Sequence, residues 1–172
     1  LGSATGMEAN MFREMRRKRQ ALCKEECERI LREGKTGVLA LGGDDGYPYA
    51  LPINYVFDGA DIYFHCAKEG HKLDSIARCD KASFCVVDKD DVVPEKYTTF
   101  FKSVIVFGRM SVINDEEAMR RAAFILAKKY CPDETDAGIK REIERELPAL
   151  CVLKLSPEHT TGKQCVEFLK NG

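Results

Sequence analysis

The sequence lacks any apolar run that approaches the roughly 20 residues of a membrane-spanning helix. It also lacks an excess of charge, because 27 Lys and Arg residues accompany 28 Asp and Glu residues and the net charge is −1. A near-neutral chain gives no global electrostatic reason to expect a nucleic acid or an anionic membrane as partner. The 172 residues, 44% hydrophobic and 32% charged, are typical of one soluble globular domain.

Three common catalytic motifs are missing as well. The chain has no Gly-x-Ser-x-Gly nucleophile elbow, no Gly-x-x-x-x-Gly-Lys phosphate loop and no Gly-x-Gly-x-x-Gly dinucleotide fingerprint. These absences argue against a hydrolase triad, an ATPase and a Rossmann dehydrogenase. They leave open a cofactor that is bound on a β-barrel.

The eight cysteines lack the spacing of a metal site, because neither Cys-x-x-Cys nor His-x-x-x-His occurs. Cys23 and Cys27 lie four residues apart on a predicted helix, whereas Cys66, Cys85 and Cys151 lie in apolar, strand-like segments. A buried cysteine behaves as a small hydrophobic residue. We therefore predict reduced thiols in a cytoplasmic protein, with no metal and no disulfide framework.

The N-terminal region carries a local concentration of positive charge. Residues 1–6 precede Met7 and are expected to remain from cloning rather than to form a signal peptide, so the predicted domain spans residues 7–172. Between positions 13 and 19, five cations accompany one acid, Glu14. Such an arm can bind RNA or lipid headgroups, but it is more often a solvated terminal segment. The solvated arm is the favoured interpretation, so no nucleic acid and no membrane are predicted as partners.

The hydrophobic periodicity predicts an α+β domain, with a mainly antiparallel β-barrel and peripheral helices. The predicted helices span residues 24–33, 71–78, 114–130 and 137–146. The predicted strands span residues 36–41, 47–57, 62–65, 82–87, 100–113 and 149–155. The charged segment 88–97 is predicted to be a loop, and residues 156–163 are predicted to form a polar tail.

Two prolines interrupt the predicted strand over residues 47–57. Pro48 and Pro52 cannot donate to a β-ladder, so this strand must be an edge, bulged or split strand along part of its length. An edge of this kind exposes backbone groups and apolar surface, which predicts a homodimer. Gly108, within the strand over residues 100–113, predicts a β-bulge or a close approach of two backbones.

Residues 61–76 combine a strand, a short loop and a helix start. Gly70 breaks the chain, and His71 and Lys72 open the predicted helix while Lys68 lies in the loop before it. Free N–H groups at a helix start, together with nearby cations, can hold an anion such as a phosphate. An ordinary solvated turn explains the same residues equally well from the spacing alone.

Four segments resemble the pyridoxamine 5′-phosphate oxidase-like flavoproteins, and in particular their Nim-type, nitroimidazole-resistance branch. The segments are Asp45-Gly46-Tyr47-Pro48 with Pro52-Ile53-Asn54, the run from Ile62 to Leu73, the run from Lys102 to Gly108, and Thr161-Gly162-Lys163. The resemblance covers residues 11–165. The chain departs from it at Phe101-Lys102, where many relatives carry Tyr-Arg, and the missing hydroxyl puts a proton-donor role at this position in doubt.

The resemblance implies a split β-barrel that dimerises and holds FMN in a groove between the two protomers. The strand over residues 50–54 would lie along the isoalloxazine ring, His65 and Cys66 would flank the cofactor, and His71 and Lys72 would bind the phosphate. Ser103, Val104 and the segment around Lys163 would close the site. The cofactor-binding residues expected in this way are Leu51, Pro52, Ile53, Asn54, His65, Cys66, Lys68, His71, Lys72, Leu73, Ser103, Val104, Gly162 and Lys163.

The function that the resemblance implies is the reduction of a small electron acceptor, such as a nitroaromatic compound, with electrons from NADH or NADPH. His65 is the candidate acid–base residue. Two other interpretations stay open: a flavin-binding or flavin-storage module without turnover, and a haem-binding split barrel.

Overall fold

Seven strands form one antiparallel sheet in the computed structural model, which describes residues 12–169. Their order across the sheet is β2-β1-β5-β6-β7-β4-β3. The strands are β1 Thr36–Gly42, β2 Pro48–Asn54, β3 Val56–Phe57, β4 Ile62–Cys66, β5 Lys81–Val93, β6 Thr98–Val112 and β7 Cys151–Gln164. The α-helices of this part of the chain are α1 Lys24–Glu33, α2 His71–Arg78, α3 Glu116–Tyr130 and α4 Asp136–Glu146.

The sheet must curl into a barrel because its two edge strands are nearly consecutive in sequence. Only Tyr55 separates β2 at one edge from β3 at the other. The Tyr130 hydroxyl holds this seam, since it accepts from the Tyr55 N–H at 2.8 Å and lies 2.7 Å from the Tyr55 carbonyl and 2.5 Å from the Lys35 carbonyl. The fold is therefore the predicted α+β split barrel, and the proline-containing strand is both split and at an edge.

Strand alternation separates an inner face from an outer face. Leu39, Phe84 and Val106 lie on the inner face and are fully buried in the core of the barrel. Helix α1 packs against the barrel and contributes Cys27, Ile30 and Leu31 to the same core. The bulge predicted at Gly108 is confirmed by a register shift between Phe107 and Gly108.

Two segments that were predicted to be irregular are strands, so these predictions were wrong. Residues 88–93 continue β5, in which Asp88 lies at a register shift and residues 89–93 pair with residues 98–102 of β6. Residues 156–163 continue β7 and pair with residues 103–109 of β6. Residues 88–92 are exposed, and residues 156–163 are half-buried or exposed apart from Gly162. A strand that is partly open to water needs no apolar alternation, so neither segment carries the pattern of a core strand.

The N-terminal segment, membrane spans, metal sites and thiols were each the subject of a prediction. The expectation for residues 1–6 concerns a segment outside the described range. Among residues 12–169, no helix is long and apolar enough to cross a membrane, and no group of three or more His, Cys, Asp or Glu side chains is arranged to hold a metal ion. All eight cysteines lie in this range and are unpaired, and Cys27, Cys151 and Cys165 are buried.

Candidate functional site

Strand β2 divides its predicted cofactor residues between two faces. Leu51 and Ile53 are half-buried and pack against the core, whereas Pro52 and Asn54 are exposed on the outer side. Asn54 is held by the Thr36 hydroxyl, which donates to Asn54 Oδ1 over 3.1 Å. Because the described part of the chain pairs β2 only with β1, one edge of β2 is open to another molecule.

The start of α2 lies beside this edge strand. Gly70 precedes the helix with a φ of 119°, a value that glycine tolerates at little cost. Its carbonyl accepts from the N–H groups of Leu73 and Asp74, and none of the described residues accepts from the N–H groups of His71 and Lys72. The helix therefore presents two free donors, as an anion site requires.

His71 and Lys72, the first two residues of α2, differ in whether their side chains already have partners within the chain. The His71 ring stacks on Tyr49 with centroids 4.0 Å apart, and its Nε2 lies 3.5 Å from Asp44 Oδ2. Asp44 is also bound by Arg78 at 2.6 Å, so its charge is shared between two groups. The stacking places α2 against β2, while the nearby Asp44 carboxylate makes the His71 imidazole a poorer phosphate ligand than Lys72.

His65 and Cys66 point to opposite faces of β4, as neighbouring residues in a strand do. His65 is exposed, whereas Cys66 is half-buried opposite Cys151 in β7. Burial, with a smaller contribution from the neighbouring Cys151, raises the pKa of Cys66 to about 11, and the Lys72 ammonium opposes this rise. Cys66 is therefore a neutral thiol close to Lys72, and the two side chains cannot flank a ligand on the same face of the strand.

The predicted residues of β6 and β7 also divide between the two faces. Ser103 and Lys163 are directly opposite each other, and Lys163 Nζ lies 5.6 Å from the centre of the Phe101 ring. Val104 is fully buried in the core. A Cβ atom on Gly162 would lie 2.5 Å from Cys27 Sγ, so this glycine is required by its packing against α1.

The position that departs from the family pattern has a structural partner. Lys102 Nζ lies 2.8 Å from Glu26 Oε1, and Arg29 binds the same carboxylate at 2.9 Å. Hydrogen bonds from Arg29 and Lys102 lower the pKa of Glu26 to about 2. Lys102 therefore connects β6 to α1.

Sequence reasoning did not identify a row of residues on the outer face that joins the two parts of the site. Strand register places Pro52, Val38, Cys85, Ile105 and Thr161 side by side across β2, β1, β5, β6 and β7. Apolar side chains here remain exposed, with fractions of 43% for Val38 and 39% for Ile105. We call this surface the bare face, defined by Val38, Cys85, Val87, Ile105 and Phe107. The sequence feature that points to this surface is the continuous apolar composition of residues 38–41 and 104–107. Such composition is typical of strands that are covered on both faces.

Residues 12–22 contribute a further feature that sequence reasoning missed. The Phe12 ring stacks on His159 of β7, with centroids 4.8 Å apart and planes 3° apart. His159 Nε2 is buried and has no hydrogen-bond partner among the described residues. The predicted polar tail thus places an aromatic pair at the border of the bare face.

One chain therefore carries two separate groups of predicted cofactor residues. The first group is β2 with the start of α2, and the second is Ser103 with Lys163 on β6 and β7. Two strands, β1 and β5, lie between β2 and β6, a separation of about 14 Å at roughly 4.8 Å per strand spacing. The bare face spans this separation.

Comparison with known proteins identifies the fold. No curated protein matches the chain. A candidate 5-nitroimidazole antibiotic resistance protein from Bacteroides thetaiotaomicron VPI-5482 superposes with a TM-score of 0.70 at 21% identity, covering 83% of this chain and 85% of that one. The flavocytochrome Anf3 from Azotobacter vinelandii superposes with a TM-score of 0.74 at 19% identity, covering 92% of this chain and 75% of that one.

A third similar structure is the FAD- and haem-binding protein from Mycobacterium smegmatis, with a TM-score of 0.70 and 22% identity over 89% of this chain and 80% of that one. At such identities these three structures establish the fold alone. The family itself is established by the pyridoxamine 5′-phosphate oxidase profile, which matches residues 23–164. This chain belongs to the pyridoxamine 5′-phosphate oxidase-like family.

Proposed function

We propose that the protein is a homodimeric FMN-dependent oxidoreductase that reduces a small electron acceptor. The observation that carries this proposal is the position of α2. Its two free N–H groups lie beside the open edge strand β2, where His71 stacks on Tyr49 at 4.0 Å. The free N–H groups that could bind a phosphate therefore lie next to an open strand edge that could contact a ring. A planar cofactor that carries a phosphate needs both of these features close together.

The donors at this helix start fit a phosphate. The N–H groups of His71 and Lys72 point from a helix whose dipole favours negative charge at this end. The Lys72 ammonium adds a charge-assisted hydrogen bond, and Lys68 lies exposed in the preceding loop. The His71 ring is already in contact with Tyr49 and Asp44. Lys72 is therefore expected to be the main cationic side chain that binds the phosphate.

The bare face fits an aromatic ring system. A planar apolar cofactor needs a slot with few but fixed polar contacts. Pro52 and Val38 supply apolar surface in adjacent strands, and Asn54, fixed by Thr36, supplies a polar contact beside them. Such surface stays exposed in a single chain, where Val87 is 58% accessible. A contiguous apolar patch of this kind usually marks a binding site.

A second copy of the chain would complete the slot. Ser103 and Lys163 are too far from β2 within one chain to contact the same ring edge, since β1 and β5 intervene. If the bare faces of two protomers pack together, Ser103 and Lys163 of one protomer approach β2 of its partner. Dimerisation would therefore bury the bare face and place both groups on one cofactor.

Bound FMN would supply the electron-transfer chemistry, taking electrons from a nicotinamide nucleotide and passing them to the acceptor. The chain's own contribution is to hold the phosphate at Lys72, to orient the ring against Pro52 and Asn54, and to exclude water at the dimer interface. His65 is the proposed proton donor, because its imidazole is exposed at the end of β4, six residues before the helix start. A cytoplasmic location would supply reduced nicotinamide nucleotides.

The test begins with the absorption spectrum of the purified protein and a titration with FMN. We expect visible flavin bands, one FMN per chain, and loss of these bands when NADH or NADPH is added in the absence of oxygen. Adding a 5-nitroimidazole should restore the bands. A protein that does not bind FMN at micromolar concentration would overturn the proposal, and a haem spectrum would replace FMN with haem. Flavin binding without reduction by either nucleotide would indicate storage instead of turnover.

A further inference from the structure

A basic cavity lies at the end of β7, outside the groups assigned to the flavin. It has a volume of about 800 Å³, and its lining is Arg16, Arg17, Lys18, Arg19, Gln20, Val166 and Leu169. Four cations and no acid therefore line it. Lys18 is paired with Glu14 at 2.6 Å, whereas the three arginines have no carboxylate partner among residues 12–169. In a chain with a net charge of −1, this concentration of charge is local.

Gln20 provides a second and independent indication of a ligand. The residue is only 5% exposed, and its Oε1 atom is buried without a hydrogen-bond donor among the described residues. A buried amide oxygen without a partner is unfavourable, because it has lost its hydrogen bonds to water and gained none in return. Because Gln20 also lines the basic cavity, a ligand that brings both an anion and an N–H donor would satisfy it.

The position of the cavity connects it to the proposed flavin groove. Ala21 forms a β-bridge with Lys163, and the Leu22 N–H donates to the Gly162 carbonyl over 3.0 Å. The basic residues immediately precede Ala21, and Val166 follows the end of β7 by two residues. The cavity is therefore next to Lys163, which would close the cofactor site.

We propose that this cavity binds the phosphorylated adenosine half of a nicotinamide dinucleotide, with NADPH favoured over NADH. The inference rests on the proposed function, and it identifies the electron donor. Guanidinium groups bind phosphate oxygens in pairs, and an additional 2′-phosphate suits three arginines that lack carboxylate partners. Gln20 Oε1 accepts from the exocyclic amine of adenine, and Val166, which is 45% exposed, offers apolar surface to the base.

The test uses 2′,5′-ADP, which contains the phosphorylated adenosine half and carries no redox chemistry. The double substitution Arg16→Ser with Arg17→Ser should weaken its binding to the FMN-loaded protein at least tenfold in calorimetric titrations. The matched control replaces Lys81 and Arg141 by serine, since both are exposed, lie on other elements and have no ion-pair partner among the described residues. The control should change the affinity less than twofold, and both variants should retain FMN.

A second variant tests recognition of the base. Gln20→Leu should weaken 2′,5′-ADP binding several-fold and leave the binding of pyrophosphate unchanged. The Michaelis constant for NADPH should rise in the arginine variant while that for the acceptor stays the same.

Each contrary result has a distinct meaning. A wild-type protein that binds FMN but not 2′,5′-ADP at millimolar concentration would overturn this inference alone. An equal loss of affinity in the Lys81/Arg141 control would also overturn it, since the effect would then be nonspecific charge. A single-stranded RNA that binds the arm more tightly than NADPH would replace the dinucleotide with a nucleic acid. Failure to bind FMN would instead contradict the proposed function.

Discussion

The outer face of the sheet has two halves that differ in what covers them. On β4 and the first half of β7, helix α3 packs over the sheet, and Val152 is fully buried there. On β1, β5 and β6, no helix of the described chain covers the bare face, and Ile105 remains 39% exposed. Both halves carry apolar side chains, although the chain's own helix covers only one.

This difference locates the part of the molecule that is available for binding. An apolar surface that is left open in a stable fold usually serves an interface or a ligand. The covered half is closed within the chain, because helix α3 packs against both β4 and β7 and leaves Val152 fully buried. At one end of the bare face the Phe12 ring lies 5.6 Å from the Phe107 ring, yet Phe107 stays 39% exposed and Val87 stays 58% exposed. The predicted cofactor residues Pro52 and Ser103 lie along this face.

The covered half should respond most strongly to a buried charge. Val152→Asp would place a carboxylate under α3, and we expect the free energy of unfolding to fall by more than about 3 kcal/mol. Urea denaturation followed by circular dichroism measures this change. Val152→Ala provides the control for lost volume and should cost less. Equal stability of the Asp variant and the wild type would show that α3 does not seal this half.

The same substitution on the bare face should break the dimer and preserve the fold. Ile105→Asp would place a charge at the proposed interface, and its desolvation should weaken association by about 2–5 kcal/mol. Analytical ultracentrifugation should show the mass of one 19.4 kDa chain for the variant and twice this mass for the wild type. A monomeric wild type, or a dimeric Ile105→Asp protein, would show that the bare face is not the dimer interface.

Lys72, at the start of α2, is expected to hold the cofactor phosphate. Lys72→Ala should weaken FMN binding by about 1.5–3 kcal/mol, one to two powers of ten, because a charge-assisted contact to a dianion is lost. Riboflavin, which has the ring without the phosphate, is the control and should bind both proteins equally. FMN should also raise the melting temperature of the wild type more than that of the variant. Equal losses for both flavins would place Lys72 at the ring.

The seam of the barrel should be sensitive to a single hydroxyl. Tyr130→Phe leaves the buried N–H of Tyr55 without its acceptor, which should cost about 1–3 kcal/mol of unfolding free energy. Hydrogen exchange should become faster at Tyr55, at the junction between β2 and β3. Unchanged exchange there would mean that the edge strands are held together without Tyr130.

The smallest effect concerns the contact between α1 and β6. Glu26 has a folded-state pKa of about 2, below its ordinary value of 4.5, so its stabilising contribution is present above pH 4.5 and is lost as the pH falls through about 2. Glu26→Gln should therefore cost about 1 kcal/mol at pH 7, after allowance for solvent screening of a partly exposed group. The difference between variant and wild type should shrink from pH 4.5 to pH 2. A difference that does not change with pH would show that the Glu26 charge does not contribute.

Local sequence patterns were sufficient to predict the limits of two helices and the position of β2 at an edge of the sheet. The limits of α1 and α2 match their predictions, because amphipathic spacing and Gly34 or Gly70 mark the ends locally. The two prolines predicted the edge strand, since a residue without an N–H group is poorly tolerated inside a ladder. The family resemblance, which the profile match over residues 23–164 confirms, added the split barrel.

The tertiary structure alone decided which strand face each candidate residue occupies. Ser103 and Val104 are neighbours in sequence, yet one lies on the outer side and the other is fully buried. The tertiary structure also decided that residues 156–163 form a strand. These residues are extended because they pair with β6, and their own composition does not favour a strand. The apolar composition of residues 38–41 and 104–107 indicates strands with two apolar faces, but it does not show which face the chain itself covers. That depends on where distant elements pack, and this is why α3 could be predicted as a helix while its position over β4 and β7 could not.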